Sequence, residues 1–181
     1  MSPTALYPRL MGEAFESLPP AVRALHGCAD GFHAVGRCEV RRGGGILSRL
    51  VASWLGVPPA GRDVALTFDI VPQESGEEWV RRFGDHVMRS RFWTPGEGLY
   101  ERLGPIVMLH SLEKVDGKLA TRLHRLWFLG VPVPRALHPR IRALADEDAG
   151  AYRFDVAAEL PFAGLVVSYR GRLEPAVRER A

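Results

Sequence analysis

The sequence predicts a mainly β fold: a long antiparallel meander forming a strongly curved sheet or an up-and-down barrel, with N-terminal helices and one short helix after the first strand. Three observations predict it. The apolar period changes from 3.6 to 2 after residue 62. Turn signals then separate most of the strand-like runs, at Gly84-Asp85, Thr94-Pro95-Gly96, Gly104-Pro105, Asp116-Gly117, Pro132 to Pro139 and Ala163-Gly164. A long meander with open edges invites aggregation, so it tends to curl or close.

Helical spacing dominates before the switch. Over 4–26, Leu6, Leu10, Met11, Ala14, Phe15 and Leu18 recur on one face. Pro19-Pro20 interrupts, a further turn carries Val22 and Leu25, and Gly27 stops it. Residues 33–42 read as the first strand. The glycines 43–45 lack any phosphate-binding pattern and read as a hinge ahead of a helix over 46–55. That helix has an apolar face of Ile46, Leu47, Leu50, Val51, Trp54 and Leu55, and Gly56 with Pro58-Pro59 ends it. It is placed as a lid over one end of the barrel. Its single basic residue, Arg49, argues against a membrane-binding reading.

The meander itself opens with Val64, Leu66, Phe68 and Ile70, alternating with Ala65, Thr67 and Asp69. Strands follow near 77–83, 86–93, 98–103, 105–115, 118–129, 140–146, 151–160 and 165–173. A half-barrel gripping a helix is the alternative, and the lack of a long C-terminal helical pattern argues against it. The expected organisation is one domain over 1–181, with a helical segment 4–26, a β body 33–175 and a frayed tail 176–181.

Composition narrows the function classes. With 46% hydrophobic and 25% charged residues, the chain can build a real core. The net charge is only +3, and its arginines are scattered, with no basic run longer than the pairs Arg41-Arg42 and Arg81-Arg82. That pattern argues against nucleic acid as partner, which needs a basic stripe or face. Cys28 and Cys38 have no metal or redox spacing, the six histidines do not cluster, and no cofactor fingerprint or nucleophile elbow occurs. No metal and no cofactor are therefore expected. The opening MSPTALYPRL lacks the pattern of a secretory leader, and no apolar run approaches the roughly 20 residues that span a bilayer. The expectation is a cytoplasmic protein with reduced thiols.

Turn length sets register, and register sets which face points in. A two-residue Gly84-Asp85 turn pairs Phe83 with His86, Arg81 with Met88, Trp79 with Ser90 and Glu77 with Phe92. This set is the more apolar and is expected to face inward. A four-residue loop at 94–97 then brings Glu101 opposite Ser90. The Gly104-Pro105 turn adds Ile106, Met108, His110 and Leu112, and Asp116-Gly117 adds Thr121, Leu123, Arg125 and Trp127. Tyr169 joins from the last strand. The expected interior therefore combines Trp79, Phe83, Phe92, Met108 and Trp127 with Arg81, Ser90, Glu101, His110, Arg125 and Tyr169.

Buried charges need partners. Glu101 can serve one arginine, which leaves Arg81 or Arg125 for the carboxylate or phosphate of a ligand, in the fork geometry of guanidinium. A purely structural Arg–Glu–Arg network is the competing reading. Glu101 and His110 are the candidates for acid–base chemistry.

The segments LPPAVRALH (18–26), GVPPAGRDV (56–64), WVRRF (79–83), YERLGPI (100–106), VPVPRALHP (131–139) and YRGRLEP (169–175) together resemble an uncharacterised bacterial family, domain of unknown function 4166. The resemblance covers nearly the whole chain. It implies no activity and no site residues. It does imply an association, because such domains occur alone or behind a nucleotide-binding domain similar to saccharopine dehydrogenase. A dehydrogenase-like partner of this chain would be a separate protein.

Three functions remain open from the sequence. The first is a binding module for a small amphipathic or acyl-type ligand, which requires a continuous pocket of at least ~300 Å³ reaching Arg81 and Arg125. The second is an accessory domain for a dehydrogenase-like enzyme, with a filled core and an exposed apolar patch. The third is an isomerase- or cyclase-type enzyme using Glu101 and His110.

Overall fold

The computed structural model describes residues 5–176. Residue 4 of the expected helical segment and residues 177–181 of the expected tail lie outside them. The N-terminal segment forms three short helices, α1 (Leu6–Met11), α2 (Glu13–Glu16) and α3 (Pro20–His26), broken where Gly12 and Pro19 fall. Strand β1 (Phe32–Arg42) and helix α4 (Ile46–Trp54) follow. The body then runs β2 (Gly61–Gln73), β3 (Gly76–Phe83), β4 (His86–Trp93), β5 (Leu99–Leu103), β6 (Ile106–Val115) and β7 (Lys118–Phe128). It is completed by β8 (Val131–Pro132), a 3₁₀ turn (Arg135–Leu137), β9 (Arg140–Asp148), β10 (Ala151–Leu160) and β11 (Gly164–Pro175).

Each strand pairs antiparallel with the next, except that β8 pairs only with β7, β7 pairs with β9 past it, and β11 returns to β1. Ten strands thus close into a barrel, and β8 hangs on its edge. Of the curved sheet and the barrel, the chain adopts the barrel. Closure removes the free edges on which a meander would aggregate.

The seam between β1 and β11 depends on two glycines at interior-facing positions, one on each strand. Gly36 pairs with Leu173, and Gly171 pairs with Cys38. A Cβ on Gly36 would collide with the Arg172 carbonyl oxygen, and one on Gly171 with that of Arg37. The two strands coil tightly against each other here, as a barrel corner requires.

Alternation of strand direction gives the barrel two unlike ends. At the lower end lie the turns after β2, β4, β6 and β9, and α1–α3 close it. The Leu6 N–H donates to Glu77 Oε1 (3.2 Å), the Ala21 N–H to Glu147 Oε2 (2.7 Å) and Lys114 Nζ to the Ser17 carbonyl (2.8 Å). Leu6, Tyr7, Phe15, Leu18 and Val22 pack against Phe92, Leu99, Leu119 and Ala145. At the upper end lie the turns Gly84-Asp85 and Gly104-Pro105, the connection 129–139, the turn 161–163 and helix α4. The outer wall is polar and ion-paired: Arg153 to Asp146 (2.5 Å), Arg170 to Glu39 (2.8 Å), Arg37 to Asp63 (2.5 Å) and Arg142 to Asp155 (3.1 Å). A membrane-spanning barrel needs an apolar band there. No described helix is long and apolar enough to cross a membrane.

The plug gives stability a specific pH dependence. His26 stacks on Tyr7 (ring centroids 4.0 Å) and shares a 3.2 Å hydrogen bond with the Tyr152 hydroxyl. Burial lowers its pKa from 6.5 to about 3. The unfolded chain therefore binds a proton that the folded chain refuses. The stability contribution is complete above pH 6.5 and falls away as pH drops toward about 3. This amounts to about 3 kcal/mol lost between pH 7 and 4. Urea titrations of wild type and His26→Phe at both pH values check it. The pH-linked loss is expected to shrink by about that amount in the variant, and parallel pH profiles would refute the assignment.

A candidate ligand cavity with a polar floor

The hairpin β3–β4 takes the register expected from its two-residue turn: Arg81 opposes Met88, Trp79 opposes Ser90 and Glu77 opposes Phe92. The loop after β4 is longer than expected. Trp93 pairs with Tyr100, so Glu101 lies opposite Phe92 rather than Ser90. The shift is two residues, so Glu101 still points inward. Gly104-Pro105 and Asp116-Gly117 behave as two-residue turns, pairing Leu103 with Ile106 and Val115 with Lys118.

On β7 the expected register fails. His110 pairs with Leu123 but Leu109 pairs with Arg125, leaving His124 as an extra residue. This β-bulge exchanges the two faces above it. Leu126 and Phe128 enter the interior, opposite Met108 and Ile106. Arg125 and Trp127 therefore face outward and form no part of the site. Arg125 is exposed, and Trp127 stacks on Tyr100 of the outer wall (6.2 Å). Two adjacent polar residues, His124-Arg125, interrupt the alternation of β7 and were the available signal.

The remaining predicted residues gather around one cluster. Arg81 is 8% exposed. Its guanidinium donates to Ser90 Oγ (2.7 Å) and to the Tyr169 hydroxyl (3.3 Å), and lies 3.7 Å from Glu101. It also sits over the Trp79 ring, 5.4 Å from the centroid. Arg81 Nε finds no protein partner. Glu101 approaches His110 Nε2 at 3.4 Å. Burial alone would raise the Glu101 pKa, but the hydrogen bonds from His110 and Ser90 and the charge of Arg81 outweigh it, holding the carboxyl below its usual range. The floor therefore carries a carboxylate and a guanidinium too far apart for a direct hydrogen bond.

Above this floor lies a cavity of about 400 Å³. Arg81, Glu101 and Tyr169 reach its lower end, and Met108 lies on its wall. The rest is almost wholly aliphatic and aromatic, including Val51 and Leu55 of α4, Leu126, Phe128 and Val156. Helix α4 lies across the mouth. Ser48 Oγ donates to the Ala163 carbonyl (2.8 Å), Trp54 packs on Phe128 (5.1 Å), and the Gly56 carbonyl accepts from His86 Nε2 (2.8 Å).

Not every predicted residue reaches the cavity. Trp79 and Phe83 line a smaller void of about 70 Å³ on the other side of Arg81. Phe92 packs on Trp79 (4.2 Å) and on the helical plug. Ser90 and His110 stand behind Arg81 and Glu101, both fully buried. Sequence reasoning missed Glu77 as an anchor. Its Oε2 accepts from Trp79 Nε1 (2.9 Å) while Oε1 holds the N-terminus of α1. It also missed the contribution of 133–141 and β10 to the cavity wall.

A family model described as "Domain of unknown function (DUF4166)" matches residues 18–173, which takes in α3 and nearly all of the ten-strand ring. No curated protein and no solved structure matches the chain.

Proposed function

We propose that this chain, which belongs to the domain of unknown function 4166 family, binds a small amphipathic ligand inside its barrel. An acyl-like tail would fill the apolar cavity. An oxygen-bearing head would accept hydrogen bonds from Arg81 and Tyr169. The observation that carries this reading is the cavity itself: about 400 Å³, apolar along its walls and polar only at its floor. That volume lies in the range of small-molecule sites. A barrel of this kind that serves only as scaffold would be expected to fill its interior with side chains. The 3.7 Å spacing of Arg81 and Glu101, with Arg81 Nε lacking a protein partner, leaves part of the guanidinium's donor capacity for a head group. Glu101 and His110 meet, but His110 has no place on the cavity wall, so it is read as a support for Glu101.

The test is titration with 11-(dansylamino)undecanoic acid, an acyl chain whose emission rises in an apolar site. Saturable binding is expected. Arg81→Ala should weaken it about tenfold, and Ala158→Phe, which fills the cavity without touching the charges, should weaken it at least as much. Arg89→Ala, on the outer wall, should leave it unchanged. Equal effects of Arg81→Ala and Arg89→Ala, or unimpaired binding by Ala158→Phe, would refute the site.

A further inference from the structure

The upper end of the barrel exposes large apolar side chains from three separate segments. Ile46 (80% exposed) and Leu50 (63%) stand on the outer face of α4, and Trp54 (66%) stands at the cavity mouth against Phe128. Leu129 (69%) and Val131 (66%) stand at the tip between β7 and β8, and Phe162 (98%) stands at the tip between β10 and β11. Antiparallel alternation puts all of these tips at the end where the cavity opens. Among the described residues the plugged lower end shows no such cluster, only the single Val115 (45%). Exposed apolar clusters of this kind mark binding surfaces.

Two of these tips also bear backbone strain. Leu129 and Phe162 adopt φ of 49° and 65°, the left-handed region that bulky side chains avoid. Glycine would relieve both the strain and the exposure. Asp116 and Ala149 in the lower turns take the same left-handed φ, 49° and 51°, without a large apolar side chain, so it is the exposure and not the φ that sets the rim apart.

Charge selects the partner. Arg49, Arg62, Arg135 and Arg140 are exposed around the same rim, and none has an ion pair among the described residues. The nearby exposed acids are Asp85, Asp63, which pairs with Arg37, and Glu159, which lies across from Arg140 on the neighbouring strand. On the wall Arg37, Arg153, Arg170 and Arg172 are paired, whereas exposed Arg91, Arg102, Arg122 and Arg125 have no ion pair among the described residues; the rim differs in setting its unpaired arginines beside exposed apolar tips. Apolar tips ringed by unpaired arginines suit a surface with acyl chains beneath and phosphates at its boundary. A second copy of the chain would bring the same arginines face to face.

We infer that the upper rim docks on an anionic lipid surface, with α4 and the tips at 129–131 and 162 entering the headgroup layer and the cavity mouth facing the acyl chains. The inference builds on the ligand-binding reading, because docking there gives an acyl ligand a path that avoids water. Helix α4 alone, with its one arginine, would not hold the protein to a membrane. The barrel supplies the other tips and charges.

Flotation with vesicles of phosphatidylcholine, alone or mixed with phosphatidylglycerol, tests it. Binding to the mixed vesicles is expected to exceed binding to the neutral ones by about tenfold and to weaken with salt. The double variant Leu50→Asp/Phe162→Asp should lose vesicle binding while keeping its affinity for the dansylated acyl probe. Indifference to phosphatidylglycerol, or full binding by the double variant, would overturn the inference. So would a dimer in solution that the same substitutions abolish, since the rim would then belong to a second copy. Probe binding without vesicle binding would refute the docking and spare the cavity; vesicle binding without probe binding would do the reverse.

Discussion

Arg81→Met is expected to destabilise the fold by about 3 kcal/mol, far more than the loss of an exposed arginine. The substitution strands the Glu101 carboxylate, whose side chain is only 15% exposed. What remains beside it is His110, 3.4 Å away, and the Ser90 hydroxyl. Removing both charges is different: Arg81→Met/Glu101→Leu takes away the desolvation cost together with the attraction. Well-packed apolar replacements of buried ion pairs are often neutral. The double variant is therefore expected to recover most of the loss, with a coupling of about 2 kcal/mol in a double-mutant cycle. Urea denaturation of the four proteins measures it. Additive effects would show that the 3.7 Å pair contributes nothing as a pair.

Gly36→Val is expected to be more damaging still. Its Cβ would fall on the backbone of Arg172 and Leu173, which cannot rotate aside as a side-chain tip can. Overpacking costs typically 1–3 kcal/mol where side chains absorb it, and a backbone collision at the seam should exceed about 3 kcal/mol. Gly44→Val is the comparison, because a Cβ there meets no atom within 4 Å. A Gly36→Val protein that melts within a few degrees of Gly44→Val would mean that the seam can loosen without harm.

The sequence made the hairpins legible because turn chemistry is local. Gly84-Asp85 and Gly104-Pro105 each fixed a register that the barrel keeps, and Asp116-Gly117 fixed one that holds as far as Leu123. The loop after β4 was misjudged by two residues, and the error was harmless because parity decides the face. The bulge at His124 was harmful for the same reason: one extra residue moved Arg125 and Trp127 outside. The adjacent polar pair His124-Arg125 was the one local sign of it, and a weak one, since either face of β7 offers large apolar groups. Helix α4 posed a related problem. Apolar residues cover most of its circumference, so periodicity could not show that Val51, Trp54 and Leu55 line the cavity while Ile46 and Leu50 face out. The arginine–glutamate contact across two strands was legible, because strand spacing and side-chain length bound the reach. The barrel's closure was not, because it depends on pairing between strands far apart in the chain.

That distant pairing also sets an order of events. Ala34 finds Pro175, and Arg42 finds Val167, only after every intervening strand exists. Contacts of such long sequence separation form slowly, since the entropy of closing the loop is lost before the ladder compensates. On a ribosome, β1 would emerge first and wait with one edge unpaired until β11 arrived. During that interval the growing sheet resembles a strand-ended intermediate, open to pairing with other chains. Polar and charged side chains along β1, among them His33, Arg37, Glu39 and Arg41, are the kind of guard that keeps a waiting edge from the wrong neighbour.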